Sequence, residues 1–316
     1  MNQCDFEYLK NHLDTSRFFG SDACLANLFL LQEKYNTELK IHNNMLLRYY
    51  YGDENRTGYG FPIPIKQNSD VKASADPAPH TAAWLKDALE YIFTDARTQN
   101  RPVSFCLITQ EQKKLIDECL LLYFPGQKIL WKTSRDDCDY IYLRQNLSEL
   151  PGSNYQKKRN HVSRFNRIYG QNWVFKPFPQ NDIAADMLTV AQKWFTQKDG
   201  ESNPVLALEL KSIELALQNT DLLQLTGGVL YINGEPAAMT LAAPISSDTL
   251  DVIYEKSFAE YERNGAYAVI NQQFNRLLES YLYINREEDM GVEGLRKAKL
   301  SYKPTMIIDK FYGRIV

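Results

Sequence analysis

Apolar residues recur at helical spacing over about 5–18 and again over 22–34, where Leu25, Leu28 and Phe29 follow Ser21-Asp22 as an N-cap pair. Three strand-like runs come next, Glu38–His42, Met45–Tyr51 and Gly58–Ile65, with turn chemistry at Asn43-Asn44 and at Asp53–Thr57. The polar, proline-flanked stretch Lys66–Pro79 is expected to be a surface loop. A helix over 81–99, a strand at Val103–Ile108, a helix over 110–122 capped by Thr109 and a strand at Asp139–Leu143 complete the first half. In the second half, helices are expected at 153–169, 183–198 and 206–218. The strands Gly227–Ile232 and Pro236–Ala243 flank Asn233-Gly234, the strongest short hairpin signal. A strand at Thr249–Tyr254, a helix from about Gly265, a strand at Tyr281–Asn285, a helix over 291–302 and a strand at Thr305–Asp309 follow.

Helix, antiparallel strands, helix, strand, helix, strand therefore occurs twice. The expected fold class is α+β, in two tandem domains at 1–148 and 149–316, each a mainly antiparallel mixed sheet flanked by helices. The natural cut lies in Asn146–Gly152. The two halves share negligible sequence identity, so the repeat is architectural.

Composition narrows the class. The 316 residues carry 36 Lys+Arg against 39 Asp+Glu, a net charge of -3, so any nucleic-acid binding has to be local. At 44% hydrophobic and 24% charged, the chain matches globular usage and excludes disorder or collagen-like structure. Twenty Tyr and 15 Phe point to well-filled cores and aromatic-lined clefts. The five cysteines Cys4, Cys24, Cys106, Cys119 and Cys138 are odd in number and show no CxxC spacing, which predicts reduced thiols. The opening MNQCDFEYLK is acidic rather than a signal peptide, and no apolar run approaches a membrane span. A soluble cytoplasmic protein is the expectation. His12, His42, His80 and His161 have no metal-ligand spacing, so no metal is expected. There is no P-loop, GxSxG elbow or complete GxGxxG.

The clearest chemical feature is a basic helix. From Leu150 to Asn181 there is no Asp or Glu, while Lys157, Lys158, Arg159, Arg164, Arg167 and Lys176 are cationic. At 3.6 residues per turn, Tyr155, Val162, Phe165 and Tyr169 share an apolar face, and Lys157, Asn160, His161, Arg164 and Arg167 share the other. Charge runs are commonly solvated surface, but a stretch this free of acids also suits a polyphosphate, an RNA backbone or an anionic headgroup. Elsewhere, Arg263-Asn264-Gly265-Ala266-Tyr267 opens a helix whose small residues permit close approach to backbone N–H groups, as a phosphate requires. Asn285-Arg286-Glu287-Glu288-Asp289 places ionisable groups where a strand gives way to a helix. Capping is the default role there for Glu288 and Asp289.

Taken together and in order, Tyr155-x-Lys-Lys-Arg-Asn-His161-x-x-Arg-Phe165, Glu255-Lys256, Gly265-Ala266-Tyr267-x-x-Ile270-Asn271 and Asn285-Arg286-Glu287-Glu288-Asp289-x-Gly291-x-x-Gly294-Leu295-Arg296-x-x-Lys299 resemble a bacterial family. It is the family named after the C-terminal domain of phosphatidylglycerol lysyltransferase. The resemblance spans essentially the whole chain and is most specific over Asn285–Pro304. It implies two tandem GNAT-like acyltransferase folds, related to the Fem-type aminoacyltransferases. In lysyltransferases of this kind an aminoacyl-tRNA gives its amino acid to a lipid hydroxyl. No firm cofactor is implied; aminoacyl-tRNA or acyl-CoA is the expected donor substrate.

The function expected is aminoacyl transfer from an aminoacyl-tRNA-type donor to a hydroxyl or amine acceptor, with the site in the second domain. An acyl-CoA-dependent N-acyltransferase, or a non-catalytic module binding tRNA or an anionic headgroup, is the alternative. Glu255, at a strand end, is the expected general base, unless it serves only as an ion-pair partner of Lys256 or Arg263. Tyr267 or Arg286 is expected to polarise the carbonyl. Gly265 and Ala266 would floor the donor site, with Asn271 also contacting the donor and Asn285 and Lys299 at the rim. Lys157, Lys158, Arg159, His161, Arg164 and Arg167 would hold RNA or another anion.

Overall fold

The computed structural model describes residues 3–32, 36–52, 56–66 and 78–316. The turn expected at 53–55, the end of the helix expected over 22–34 and most of the Lys66–Pro79 loop therefore lie outside the described residues. The chain forms two compact units. The first contains Met1–Arg17, Leu31–Cys138 and Ile308–Val316, and the second contains Phe18–Leu30 and Asp139–Ile307.

In the first unit, β1 (Thr37–His42), β2 (Met45–Tyr51) and β3 (Thr57–Tyr59) form an antiparallel meander, with the two-residue β4 (Ile63–Pro64) also paired to β2. The run read as one strand at 58–65 is thus two short ones, divided before Pro62, whose ring supplies no ladder N–H. The helix Ala82–Thr98 leads to β5 (Ser104–Ile108), which lies parallel to β3. The helix Gln110–Tyr123 follows, closed at its start by a capping box between Thr109 and Gln112.

The second unit repeats this scheme. β7 (Trp173–Phe178), β8 (Thr226–Ile232), β9 (Glu235–Pro244) and β10 (Thr249–Ser257) are successive antiparallel neighbours. The helix Ala266–Leu277 then leads to β11 (Tyr283–Asn285), which runs parallel to β10, and the helix Glu293–Leu300 follows. Each unit therefore has one parallel pair in an otherwise antiparallel sheet, at the same point in the order.

A cut at one position does not describe this arrangement, because each unit takes strand residues from both halves of the chain. β6 (Ile129–Leu143) begins in the first unit and ends in the second, where its residues 141–143 pair with β11. The C-terminal β12 (Met306–Ile315) returns to the first unit beside β5. The first ten residues of β6 were not expected as strand, since Lys132–Asp137 is polar and lacks alternation. β7, reading WVFKPF, also escaped the pattern.

The β8–β9 hairpin turns on Asn233 (φ +54°) and Gly234 (φ +85°), the left-handed pair that a two-residue turn demands. Replacing Gly234 with Ala meets no steric obstacle yet forces a Cβ into left-handed backbone. We expect Gly234→Ala to cost about 1 kcal/mol in urea unfolding. An unchanged midpoint would mean that the turn does not pin this register.

Candidate active site

The chemistry-bearing side chains converge where β10 and β11 part. The parallel ladder joins only Thr249–Asp251 to Tyr283–Asn285, and β10 continues to Ser257 with β9 alone. A bulge at Ile253 shifts the register between Val252 and Tyr254. Leu250 and Val252 pack with Phe274 of the helix Ala266–Leu277, so even-numbered residues face that helix before the bulge. After it, Glu255 lies opposite Thr240, and Ser257 opposite Ala238, which packs beneath the same helix. The extra residue thus turns Glu255 to the helix side of the sheet.

On that side Glu255 Oε1 accepts a hydrogen bond from Arg286 Nη2 at 2.8 Å, and both side chains are largely buried, at 12% and 15% exposure. Burial opposes the Arg286 charge, but Glu255 more than compensates, and the guanidinium is held more firmly cationic than usual. Arg286 also lies over the rings of Tyr302 (5.0 Å) and Tyr142 (6.0 Å). Tyr267 is half-buried nearby; burial and then the Glu255 charge keep its phenol protonated far above the usual range. Of the expected catalytic residues, Glu255 and Arg286 are brought into contact, and Tyr267 sits within the field of Glu255. The ion-pair partner of Glu255 is Arg286, not Lys256 or Arg263. Lys256 projects from the other face to Glu209 (2.9 Å) and the Trp194 ring (3.8 Å).

The expected donor-binding residues are employed otherwise. A Cβ on Gly265 would come 2.7 Å from the His161 carbonyl oxygen, so the absent side chain makes room for the basic helix rather than for a phosphate. Ala266 is fully buried among Phe165, Ala238 and Ile270. Asn285 is buried, donating to the Phe19 carbonyl (2.8 Å) and accepting from the Glu287 N–H (2.6 Å), so it braces a turn instead of lining a rim. Lys299 donates to the carbonyls of Arg286, Glu287 and Glu288, which occupies all three ammonium hydrogens. Asn271 is buried too, and its Oδ1 has no partner among the described residues. Asp289, expected as a cap, accepts the Gly291 N–H (3.0 Å) in the turn before the helix and is clamped by Arg296 through Nε (2.8 Å) and Nη2 (2.7 Å), which holds its carboxyl far below the usual range.

The basic helix is Gln156–Tyr169, preceded by a 3-10 turn at Ser153–Tyr155. Phe165 is fully buried, with Val162 and Tyr169 packed beside it. Lys157, His161, Arg164 and Arg167 are exposed, and among the described residues none of the three permanent cations forms an ion pair. Arg159 instead donates to the carbonyls of Leu150 and Gly152, closing the loop before the helix. Lys158 departs from the others: half-buried, it places Nζ 3.7 Å from the centre of the Tyr302 ring, beside Arg286. The signal was in the sequence, since position 158 falls three residues after Tyr155 and four before Val162, on the apolar stripe.

A second charge assembly, not signalled by the sequence pattern, lies on the opposite face of the sheet. Asp251, between the inward Leu250 and Val252, is buried with Asp139, Asn27 and Asn285. Asn27 Nδ2 donates to Asp251 Oδ2 (2.9 Å) and to Glu287 Oε1 (3.1 Å), while Asp139 accepts from the Ser21 N–H (2.9 Å). These bonds fasten Phe18–Leu30 onto the second unit. Burial, then Glu287 and Asp139, raise the Asp251 carboxyl well above its usual range, with Lys299 opposing. Burial, then Glu288, push Glu287 up to about 8. Asp251 Oδ1 accepts no hydrogen bond among the described residues, which leaves the carboxylate form poorly stabilised there. For Asp251 the charges responsible come from residues distant in sequence, so no local motif announces it. Among the described residues no group of His, Cys, Asp or Glu is arranged to hold a metal, and no helix is long and apolar enough to cross a membrane.

Comparison with known proteins agrees with the architecture. The family described as phosphatidylglycerol lysyltransferase, C-terminal, matches residues 14–313. A crystal structure of a conserved protein of unknown function from Bacteroides thetaiotaomicron is similar at 29% identity and TM-score 0.84, covering 100% of this chain and 98% of that one. The structure of L-PGS from Bacillus licheniformis is similar at 13% identity and TM-score 0.59, covering 92% and 86% of the two chains. That of FemX matches at 10% identity and TM-score 0.60, covering 100% and 96%. The doubled α+β scheme is accordingly the tandem GNAT-like fold.

Asp251 and Glu287 keep protons in the folded state that the unfolded chain loses near pH 4. Stability should therefore fall as pH rises from about 4 towards about 8, where Glu287 ionises. We expect thermal melts to show this decline and Asp251→Asn to flatten it. An unchanged slope in Asp251→Asn would mean that Asp251 folds as an ordinary carboxylate.

Proposed function

Since the chain belongs to the family of the phosphatidylglycerol lysyltransferase C-terminal domain, we propose that its second unit transfers an aminoacyl group from an aminoacyl-tRNA-type donor to a hydroxyl or amine acceptor. The observation that carries this reading is the Glu255–Arg286 pair at the parting of β10 and β11, beside a helix whose exposed face is cationic. Acyl transfer from an ester needs a donor to the oxyanion that develops on the carbonyl, and a fixed guanidinium in a partly desolvated site is suited to that task. Glu255 sets the position of Arg286, and Tyr267 offers a second, permanently protonated donor. Lys157, Arg164 and Arg167 give a phosphate backbone three unpaired cations along one helical face.

An acyl-CoA donor is the weaker reading. The Gly265-Ala266 turn, where a pyrophosphate would be cradled, is filled by the His161 backbone and the core. A non-catalytic RNA-binding module would use the same helix but would not need Glu255.

Charged tRNA should protect the protein against thermal unfolding more than acyl-CoA does, by mass action on the native state. Its affinity should fall as salt rises, and Arg164→Ala should reduce the slope by about one counterion without affecting folding. Glu255→Gln should lower turnover about 100-fold while leaving tRNA affinity near normal. Affinity indifferent to both salt and Arg164→Ala would defeat the RNA reading. Full turnover in Glu255→Gln would leave only a binding module.

A further inference from the structure

Two cationic side chains lie over one aromatic ring, and among the described residues one carboxylate, that of Glu255, pairs with them. Tyr302 is buried and fixed, its carbonyl accepting from the Tyr155 hydroxyl at 2.8 Å. Arg286 lies over its ring at 5.0 Å and takes the carboxylate of Glu255 at 2.8 Å. Lys158 Nζ lies over the same ring at 3.7 Å and forms no ion pair among the described residues. His161, one turn further along the helix, is exposed. Tyr302 cannot balance the excess as a phenolate, because burial pushes its hydroxyl up to about 12.

We propose that Lys158 is the proton acceptor of the transfer reaction, taking the proton of the attacking group and returning it to the leaving oxygen. This rests on the aminoacyl-transfer reading above. Two like charges over one ring repel, and a guanidinium does not give up its proton whereas a buried ammonium does. Burial, then Arg286, accordingly push the Lys158 amine down to about 8, with Glu255 opposing. Glu255 is committed to Arg286.

The step balances without a further reactant. As the acceptor oxygen or nitrogen bonds to the ester carbonyl, its proton passes to Nζ of neutral Lys158. Collapse of the tetrahedral intermediate breaks the bond to the ribose oxygen, which takes that proton from the Lys158 ammonium. The amine is then neutral again, and the aminoacyl group rests on the acceptor.

Reductive 13C-methylation of the whole protein, with the Lys158 signal assigned by its loss in Lys158→Arg, reads the titration directly. We expect a midpoint near 8, moving downward in Glu255→Gln because the opposing carboxylate is removed. Alongside, single-turnover loss of the aminoacyl ester from bulk charged tRNA, with glycerol as hydroxyl acceptor, should rise with pH to a plateau above about 8. Lys158→Arg keeps the charge, so tRNA affinity should stay within about threefold while the rate falls about 100-fold and loses its pH dependence. A Lys158 midpoint at the ordinary ~10.4 overturns the proposal whatever the activity. So does a Lys158→Arg profile like that of the wild type. No ester loss by wild type, with the midpoint still near 8, would instead overturn the aminoacyl-transfer reading and the proton role with it.

Discussion

The ion pair between Glu255 and Arg286 depends on three separate features of the chain being right at once. The bulge at Ile253 must turn Glu255 to the helix side. The parallel ladder must stop at Asp251, so that the two side chains meet in the opening beyond it. Arg286 must leave β11 at a fixed angle, which the backbone exchange with Tyr140 and the Lys299 ammonium on the following carbonyls provide. Residues that look reactive in the sequence, Lys299 and Asn285 among them, are consumed in holding this corner. A largely buried ion pair is costly unless its geometry is imposed, and here Lys299 and Asn285 help to impose it.

The sheet of the second unit separates two kinds of electrostatics. On one face Arg286, Lys158 and Glu255 gather among tyrosines beside the basic helix, giving an excess of positive charge in a partly dry setting. On the other, Asp139, Asp251 and Glu287 gather with few cations, an excess of negative charge relieved by protonation and by the amide of Asn27. The short segment 285–288 connects the two. Arg286 reaches the first and Glu287 the second, and the carbonyls of 286–288 face Lys299. Low dielectric makes each imbalance shift a proton equilibrium, downward for the lysine and upward for the carboxylates.

The expected site was partly legible. Glu255 and Arg286 stand at strand ends, and the strand pattern alone placed them in one region. Gly265 was legible as a position of close approach, but not what approaches it, since the carbonyl of His161 comes from a helix about a hundred residues earlier. Asp251 was not legible at all, because a single acid in an apolar strand gives no local sign of its neighbours.

Local patterning determined the helices, the Asn233-Gly234 hairpin, the doubled order of elements and the two faces of the basic helix, because each of these depends on residues within a few positions of one another. Tertiary structure decided the rest. It carried β6 from the first unit into the second and β12 back to the first, since strand order is set by edges open for pairing rather than by chain order. It also set Lys158 over Tyr302, although the stripe that put the lysine on the apolar face is local. What that amine meets there, and therefore whether it holds its proton, is fixed only by the chain segments that pack around it.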